Sequence, residues 1–277
     1  MAAATRTLHD AIDAHTRRVG IPYLHPDDPT VQLDLLGSPA VIAWQERKAE
    51  LAFMEEGCWS ELPHLYARYG TGAGARLIAE VRRLERAAAA IVTDSGMQAT
   101  ALVFDALVTR GAHAVCLRQV YNKSKTYLGW LAERVGGAVT IVDDGDHDAL
   151  RAAIRPETVL VFGETYTNPL TRAQDPDALV AIVAEARARA PGLKLVLDDT
   201  IATPWGLATP LLGAGVDVVV AAGTKAVGGQ DRDLWGYVAT NDLMTANAIM
   251  DLQAMRGGAL DWRRASVAVS TSPGWRS

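Results

Sequence analysis

The sequence predicts an α/β fold, a mainly parallel sheet sandwiched by helices, and three observations carry that prediction. From residue 91 onward, short apolar runs alternate with helical stretches. Alternation of this kind builds βαβ units, whose crossovers cover both faces of a parallel sheet. Polar and glycine residues cluster just after the apolar runs, at the strand ends where such sheets bind ligands. Finally, 49% of the 277 residues are hydrophobic, enough for the core of one large domain.

Taken in order, residues 1–20 have Leu8, Ile12 and Val19 at near-helical spacing and read as an amphipathic helix. Residues 21–40 carry Pro22, Pro26, Pro29 and Pro39 among aspartates and read as an irregular arm. A helix is expected over 40–56, a glycine-rich loop over 57–74 and a helix over 77–90. Strands follow at 90–93, 114–117, 138–142, 158–162, 193–197 and 216–221. Helices at 97–108, 124–135, 147–154 and 176–190 fall between them. Residues 266–277, with Val267, Val269 and Trp275 among serines, read as an unfinished element. Three regions are therefore expected: a helical arm over 1–65, an α/β domain over 66–245, and the start of a further region over 246–277.

Composition removes several function classes. The net charge is −5 and aromatics are 6% of residues, so there is neither a basic field nor a stacking surface for nucleic acid. Cys58 and Cys116 lie far apart, in no metal-ligand spacing and in no disulfide framework. No metal site is expected. No stretch has the apolar length of a membrane span, and residues 1–18 mix charges without a secretory pattern. A cytoplasmic protein is the expectation.

The residues able to carry chemistry follow the strands. Lys225 comes after the apolar run 216–222 and before Gly228 and Gly229. Low-dielectric surroundings there depress an amine pKa and favour condensation with a carbonyl. Asp198 ends the run 193–197, where a carboxylate can meet a protonated ring nitrogen. Asp199 competes for that role, and strand alternation points the two in opposite directions. Ser95, Gly96 and Met97 open a helix whose free amides suit a phosphate. Tyr121 offers a ring to stack on a flat heterocycle. Asn168 can bond a phenolic oxygen, and Pro169 after it suits a cis turn. Tyr66 and Arg68 lie in the glycine-rich segment, where a guanidinium can clamp a phosphate. Singly, each has a plain structural reading: strand-end lysine, helix cap, core tyrosine, loop aspartate.

Their order is more specific. Tyr66-x-Arg68, Ser95-Gly96-Met97, Tyr121, Glu164-x-x-Thr167-Asn168-Pro169, Leu197-Asp198-Asp199-Thr200 and Thr224-Lys225-x-x-Gly228-Gly229 together resemble the trans-sulfuration branch of fold-type-I enzymes dependent on pyridoxal 5′-phosphate (PLP). That branch holds cystathionine γ-synthase, the cystathionine lyases and their relatives. The resemblance implies the large PLP-binding domain of the aspartate-aminotransferase-like class, with an N-terminal arm. It implies that Lys225 carries the cofactor and moves protons, and that Asp198 pairs with the pyridine nitrogen. Tyr121 stacks on the ring and is a second catalytic residue. Gly96, Met97 and Thr224 hold the phosphate, Asn168 lies near the phenolic oxygen, and Tyr66 and Arg68 reach a neighbouring subunit's phosphate. A homodimer or homotetramer and a small amino-acid substrate follow from it.

The sequence departs from that pattern in three places. Ala222 stands where the family has serine, and a hydrogen bond to a charged group is worth roughly 1.5–3 kcal/mol. Lys123 and Lys125 add charge in the Tyr121 loop, and Asp231–Trp235 replaces a run of small residues. Only 52 residues follow Lys225, so a C-terminal domain with its carboxylate-binding arginine is expected to be missing. Arg256, Arg263 and Arg264 are the available cations. The leading expectation is a carbon–sulfur lyase or trans-sulfuration transferase working by β/γ-elimination or γ-replacement. Two alternatives stand beside it: a specialised-metabolism PLP enzyme for another amino acid, and a non-catalytic truncated subunit.

Overall fold

A computed structural model describes residue 68 and residues 70–228 and 231–271. The arm expected over 1–65 and Tyr66 lie outside the described residues. The first described helix, α1 (Gly72–Glu85), starts inside the segment expected to be a loop. Its glycines are poor helix formers, but the Thr71 hydroxyl accepts a hydrogen bond from the Gly74 amide at 2.9 Å. Ala73, Leu77 and Val81 then form its buried face, and that tertiary burial outweighs propensity.

The chain continues through β1 (Ala89–Thr93), α2 (Gly96–Leu107), β2 (His113–Leu117), α3 (Asn122–Arg134), β3 (Ala138–Val142), α4 (His147–Ala153), β4 (Thr158–Glu164), α5 (Pro176–Ala186) and β5 (Lys194–Asp198). Next come α6 (Leu211–Ala214), β6 (Val218–Ala221), β7 (Gly236–Thr240), α7 (Leu243–Arg256) and α8 (Trp262–Thr271). The strands form one seven-stranded sheet in the order β1-β7-β6-β5-β4-β2-β3. Pairings from β6 through β3 are parallel. β7 was not expected. It inserts between β1 and β6, antiparallel to both.

Every residue of β1, β2, β6 and β7 is buried. Helices on both faces leave these strands no wet side, so their sequences are mostly apolar, with Thr93, His113 and Thr240 as buried polar exceptions. β3, at the edge, buries fully only Val142. Between layers, Phe104 of α2 meets Phe162 of β4 edge-to-face, with centroids 4.9 Å apart.

Residues 266–271, expected as an unfinished element, belong to α8, which packs on α1. α7 starts at Asp242, whose carboxylate accepts from the amides of Met244 and Thr245. It packs on α2, β1 and β7, and the boundary expected between 245 and 246 falls inside it.

The directions decide where a site can form. β1, β2, β4, β5 and β6 all point their carboxyl ends to one edge of the sheet. β7 runs the other way, so its beginning, Gly236, reaches that same edge.

Candidate active site

A cavity of about 380 Å³ opens at that carboxyl edge, within the range of roughly 300–1,000 Å³ usual for small-molecule sites. It is lined by residues that follow five different strands. Gly96 and Met97 come after β1, Tyr121 after β2, Asn168 after β4, Asp198 at the end of β5, and Thr224 and Lys225 after β6. Seven residues singled out in the sequence thus meet in one place, although Gly96 and Lys225 are more than a hundred positions apart.

Ser95 caps α2, its hydroxyl accepting from the Gln98 amide at 3.2 Å. The amides of Gly96 and Met97, in the first turn, have no acceptor within the helix. A side chain on Gly96 would bring its Cβ within 2.6 Å of Ala222 Cβ, so glycine is needed where the helix start meets the Lys225 turn. That contact also accounts for a small residue at 222.

Asp198 sits on the side of β5 facing the cavity. Its Oδ1 accepts from the Thr200 amide at 2.9 Å and from the Thr200 hydroxyl at 2.5 Å. The same hydroxyl oxygen accepts from the Ala222 amide at 2.9 Å, which ties the carboxylate to the start of the lysine turn. Burial pushes the Asp198 carboxyl up from its ordinary value, while the Thr200 bonds and the Lys225 charge pull it back. Asp199 points away. Its carboxylate accepts from the Thr165 hydroxyl at 2.8 Å and is 1% exposed. Strand alternation thus separates the two aspartates.

Glu164 is a lining residue to which the sequence reading gave no role. It ends β4 in register with Asp198 and is 5% exposed. Burial and the Asp198 charge raise its carboxyl to about 8. Its Oε1 accepts from the Tyr121 backbone amide at 2.5 Å. Tyr121 is the N-cap of α3 but makes no side-chain cap, so Glu164 fixes the backbone beneath a ring that is 42% exposed. The available signal was its position: a carboxylate at a strand end, beside a strand that also ends in one. Ser95, Thr100, Ser124, Thr200, Ile201, Ala222 and Leu234 also line the cavity, and the sequence reading gave no site role to Thr100, Ser124, Thr200, Ile201 or Leu234.

Other expected residues lie elsewhere. Arg68 does not line this cavity; it borders a second one with Thr71, Ile78, Met250 and Gln253. Lys123 and Lys125 do not line it either, and the Lys125 ammonium donates to the Arg118 carbonyl at 2.9 Å. Arg256 is ion-paired with Asp105, Arg263 lies over the Trp262 ring, and Arg264 donates to the Asp94 carbonyl at 2.5 Å. The Asn168–Pro169 bond is cis, as Pro169 suggested. Among the described residues no His, Cys, Asp and Glu group is arranged to hold a metal ion, and no helix is long and apolar enough to cross a membrane.

The sequence model of a family described as "Cys/Met metabolism PLP-dependent enzyme" matches residues 47–269. The chain is 33% identical over 197 residues to cystathionine gamma-synthase 1, chloroplastic, of Arabidopsis thaliana, covering 71% of this chain and 34% of that protein. It is 35% identical over 188 residues to an O-succinylhomoserine sulfhydrylase of Mycobacterium tuberculosis, covering 68% and 45%. Its fold resembles the crystal structure of cystathionine gamma-lyase from Lactobacillus plantarum complexed with L-serine. The TM-score is 0.69 at 27% identity, covering 76% of this chain and 53% of that one. The chain therefore spans between about a third and a half of the length of these relatives. The cavity suits PLP: it offers an amine, a buried carboxylate, an aromatic ring and two unpaired helix amides around one volume.

Proposed function

We propose, for a chain that belongs to the PLP-dependent enzymes of Cys/Met metabolism, that it holds PLP at Lys225 and serves β/γ-elimination or γ-replacement on a sulfur or O-acyl amino acid. The observation that carries this reading is the convergence of Lys225, Asp198, Tyr121, Asn168 and the Gly96–Met97 amides on one cavity. Bound there, PLP supplies an electron sink for the pair left at the substrate's α-carbon. The chain's own residues do the rest. Lys225 attaches the cofactor and then moves the α-proton with its amine. Asp198, aimed by Thr200, holds a proton at the ring nitrogen. Tyr121 covers one ring face, and Asn168 orients the phenolic oxygen. The free amides at the start of α2 receive the phosphate. We read Tyr66 and Arg68 as serving a second copy's site in a homodimer or homotetramer; Arg68 bordering a different cavity accords with that.

The test is the visible absorption spectrum of the purified chain with added PLP, beside Lys225→Ala. The expected result is a borohydride-reducible band in the wild type alone. Absence of the band from both proteins would sink the cofactor reading and leave a non-catalytic subunit. Given the band, turnover of cystathionine or an O-acyl-homoserine separates this reaction class from another amino-acid substrate.

A further inference from the structure

Three loops meet at one carboxylate outside the cavity. Asp144 follows β3 at the carboxyl edge of the sheet and does not line the cavity. Its Oδ2 accepts from the Gln119 backbone amide at 2.9 Å, in the loop after β2. Its Oδ1 accepts from the Gln174 side-chain amide at 2.6 Å, in the loop after β4. Two donors from two segments need two acceptor oxygens, which an ionised carboxylate supplies and an asparagine does not.

Each of those segments carries a residue of the cavity. In the first, the amides of Gln119 and Tyr121 both end on carboxylates, the one on Asp144 and the other on Glu164 at 2.5 Å. The Tyr121 ring stands on backbone gripped from two sides. In the second, residues 165–174 fold back on themselves. The Gln174 amide donates to the Thr165 carbonyl and the Thr167 amide to the Arg172 carbonyl, each at 2.9 Å. Asn168 begins the tip of this narrow loop, and Gln174 stands at its base. At the tip, the Asn168 amide donates to the Gln119 carbonyl at 3.2 Å. Asp144 therefore holds both the base of the Asn168 loop and the stretch of backbone against which its tip rests. β2 lies between β3 and β4 in the sheet, so no ladder joins β3 to β4, and the carboxylate reaches across the intervening strand.

We propose that Asp144 is a positioning residue: by holding Gln119 and Gln174 together it sets where Tyr121 and Asn168 stand in the cavity. Its functional meaning rests on the cofactor reading above, but the tie is testable without a cofactor.

The first arm is hydrogen exchange on the chain alone. In Asp144→Ala the Gln119 and Asn168 amides should exchange about tenfold faster or more, the scale of a lost hydrogen bond to a charged group, while the Val196 and Val219 amides in the sheet keep their rates. In Gln174→Ala the Asn168 amide should quicken and the Gln119 amide should not, and that variant decides the matter if Asp144→Ala does not fold. Unchanged exchange at Asn168 in a folded variant, or quickening shared equally by the sheet amides, overturns the proposal. The second arm follows the visible band formed with PLP at Lys225 as pH is varied. A donor at the phenolic oxygen weakens that oxygen's hold on a neighbouring proton. With Asn168 displaced, the pH midpoint of the band should move up by about half a unit or more in Asp144→Ala, and by less in Asp144→Asn, which keeps one acceptor oxygen. A midpoint that stays in place beside quickened exchange would make Asp144 a structural tie only and overturn its positioning role. A wild type without the band defeats the cofactor reading alone, and the exchange arm still decides the tie.

Discussion

Two pairs of acids lie close together in different surroundings. Asp198 and Glu164 end adjacent strands, face the cavity and feel the charge of Lys225. Asp199 and Glu85 are buried away from that cavity. Asp199 takes a hydrogen bond from Thr165, and Glu85 Oε1 takes one from the Tyr237 hydroxyl at 2.7 Å. Glu85 Oε2 is buried with no partner, and no cation lowers either of these two groups. Burial lifts Glu85 to about 7 and Asp199 to about 8. An unpaired carboxylate inside a protein costs several kcal/mol unless it takes up a proton, so near neutrality Asp199 is mostly protonated and Glu85 about half. The lesson is that burial alone does not mark a functional acid. What separates the pairs is a facing lysine and an open volume.

That contrast can be broken at its strongest point by comparing Asp198→Asn with Asp199→Asn. The first should lower kcat/KM by about a hundredfold or more, the scale of losing a preorganised charge at a reacting site, with little change in Tm. The second keeps an acceptor for Thr165 and should leave activity within about twofold and stability within about 1 kcal/mol. Equal losses in activity would erase the distinction between the two faces.

A smaller effect concerns pH. Glu85, Glu164 and Asp199 all have folded pKa values raised above their ordinary 4.5, 4.5 and 3.8, to about 7, 8 and 8. Between those limits the folded chain binds more protons than the unfolded chain, so stability falls as pH rises. Thermal unfolding should show Tm declining from about pH 5 to pH 8.5, and a rising Tm over that window would refute the assignment. Asp242 works oppositely. Its bonds to Lys194 and Thr245 hold it at about 2, so its contribution is present above its ordinary 3.8 and is lost as pH falls toward 2.

The smallest expected change sharpens the comparison. Glu85→Gln keeps an acceptor for Tyr237 and removes a charge with no cation beside it. It should flatten the decline in Tm above pH 7 and raise stability at pH 8.5 by about 1–2 kcal/mol, while leaving turnover unchanged. A loss of turnover would place Glu85 in the active machinery and join the two pairs into one system.

Much of this was legible in the sequence. Strand ends were visible as apolar runs followed by polar residues, which located Asp198, Asn168 and Lys225. Asp198 and Asp199 were separable in principle, because period-2 alternation sends neighbours to opposite faces. β7 was missed because Gly236–Thr240 is a short run after a charged loop, and its identity as a strand depends on partners at β1 and β6. The start of α1 was missed because Thr71 and tertiary burial overrode glycine propensity. Glu164 was seen as part of a motif, but its role needed the neighbour it faces.

The sequence by itself determined the alternation of strands and helices, the exclusion of a basic nucleic-acid surface, and the residue types available at each strand end. These are local properties, set by periodicity and by which side chains can be buried. Only the tertiary structure decided that β4 lies beside β5, that β7 enters between β1 and β6, and that Trp235 therefore lies beneath the Lys225 turn. Strand order arises from pairing between segments distant in the chain, and no local pattern encodes which partner a strand will take.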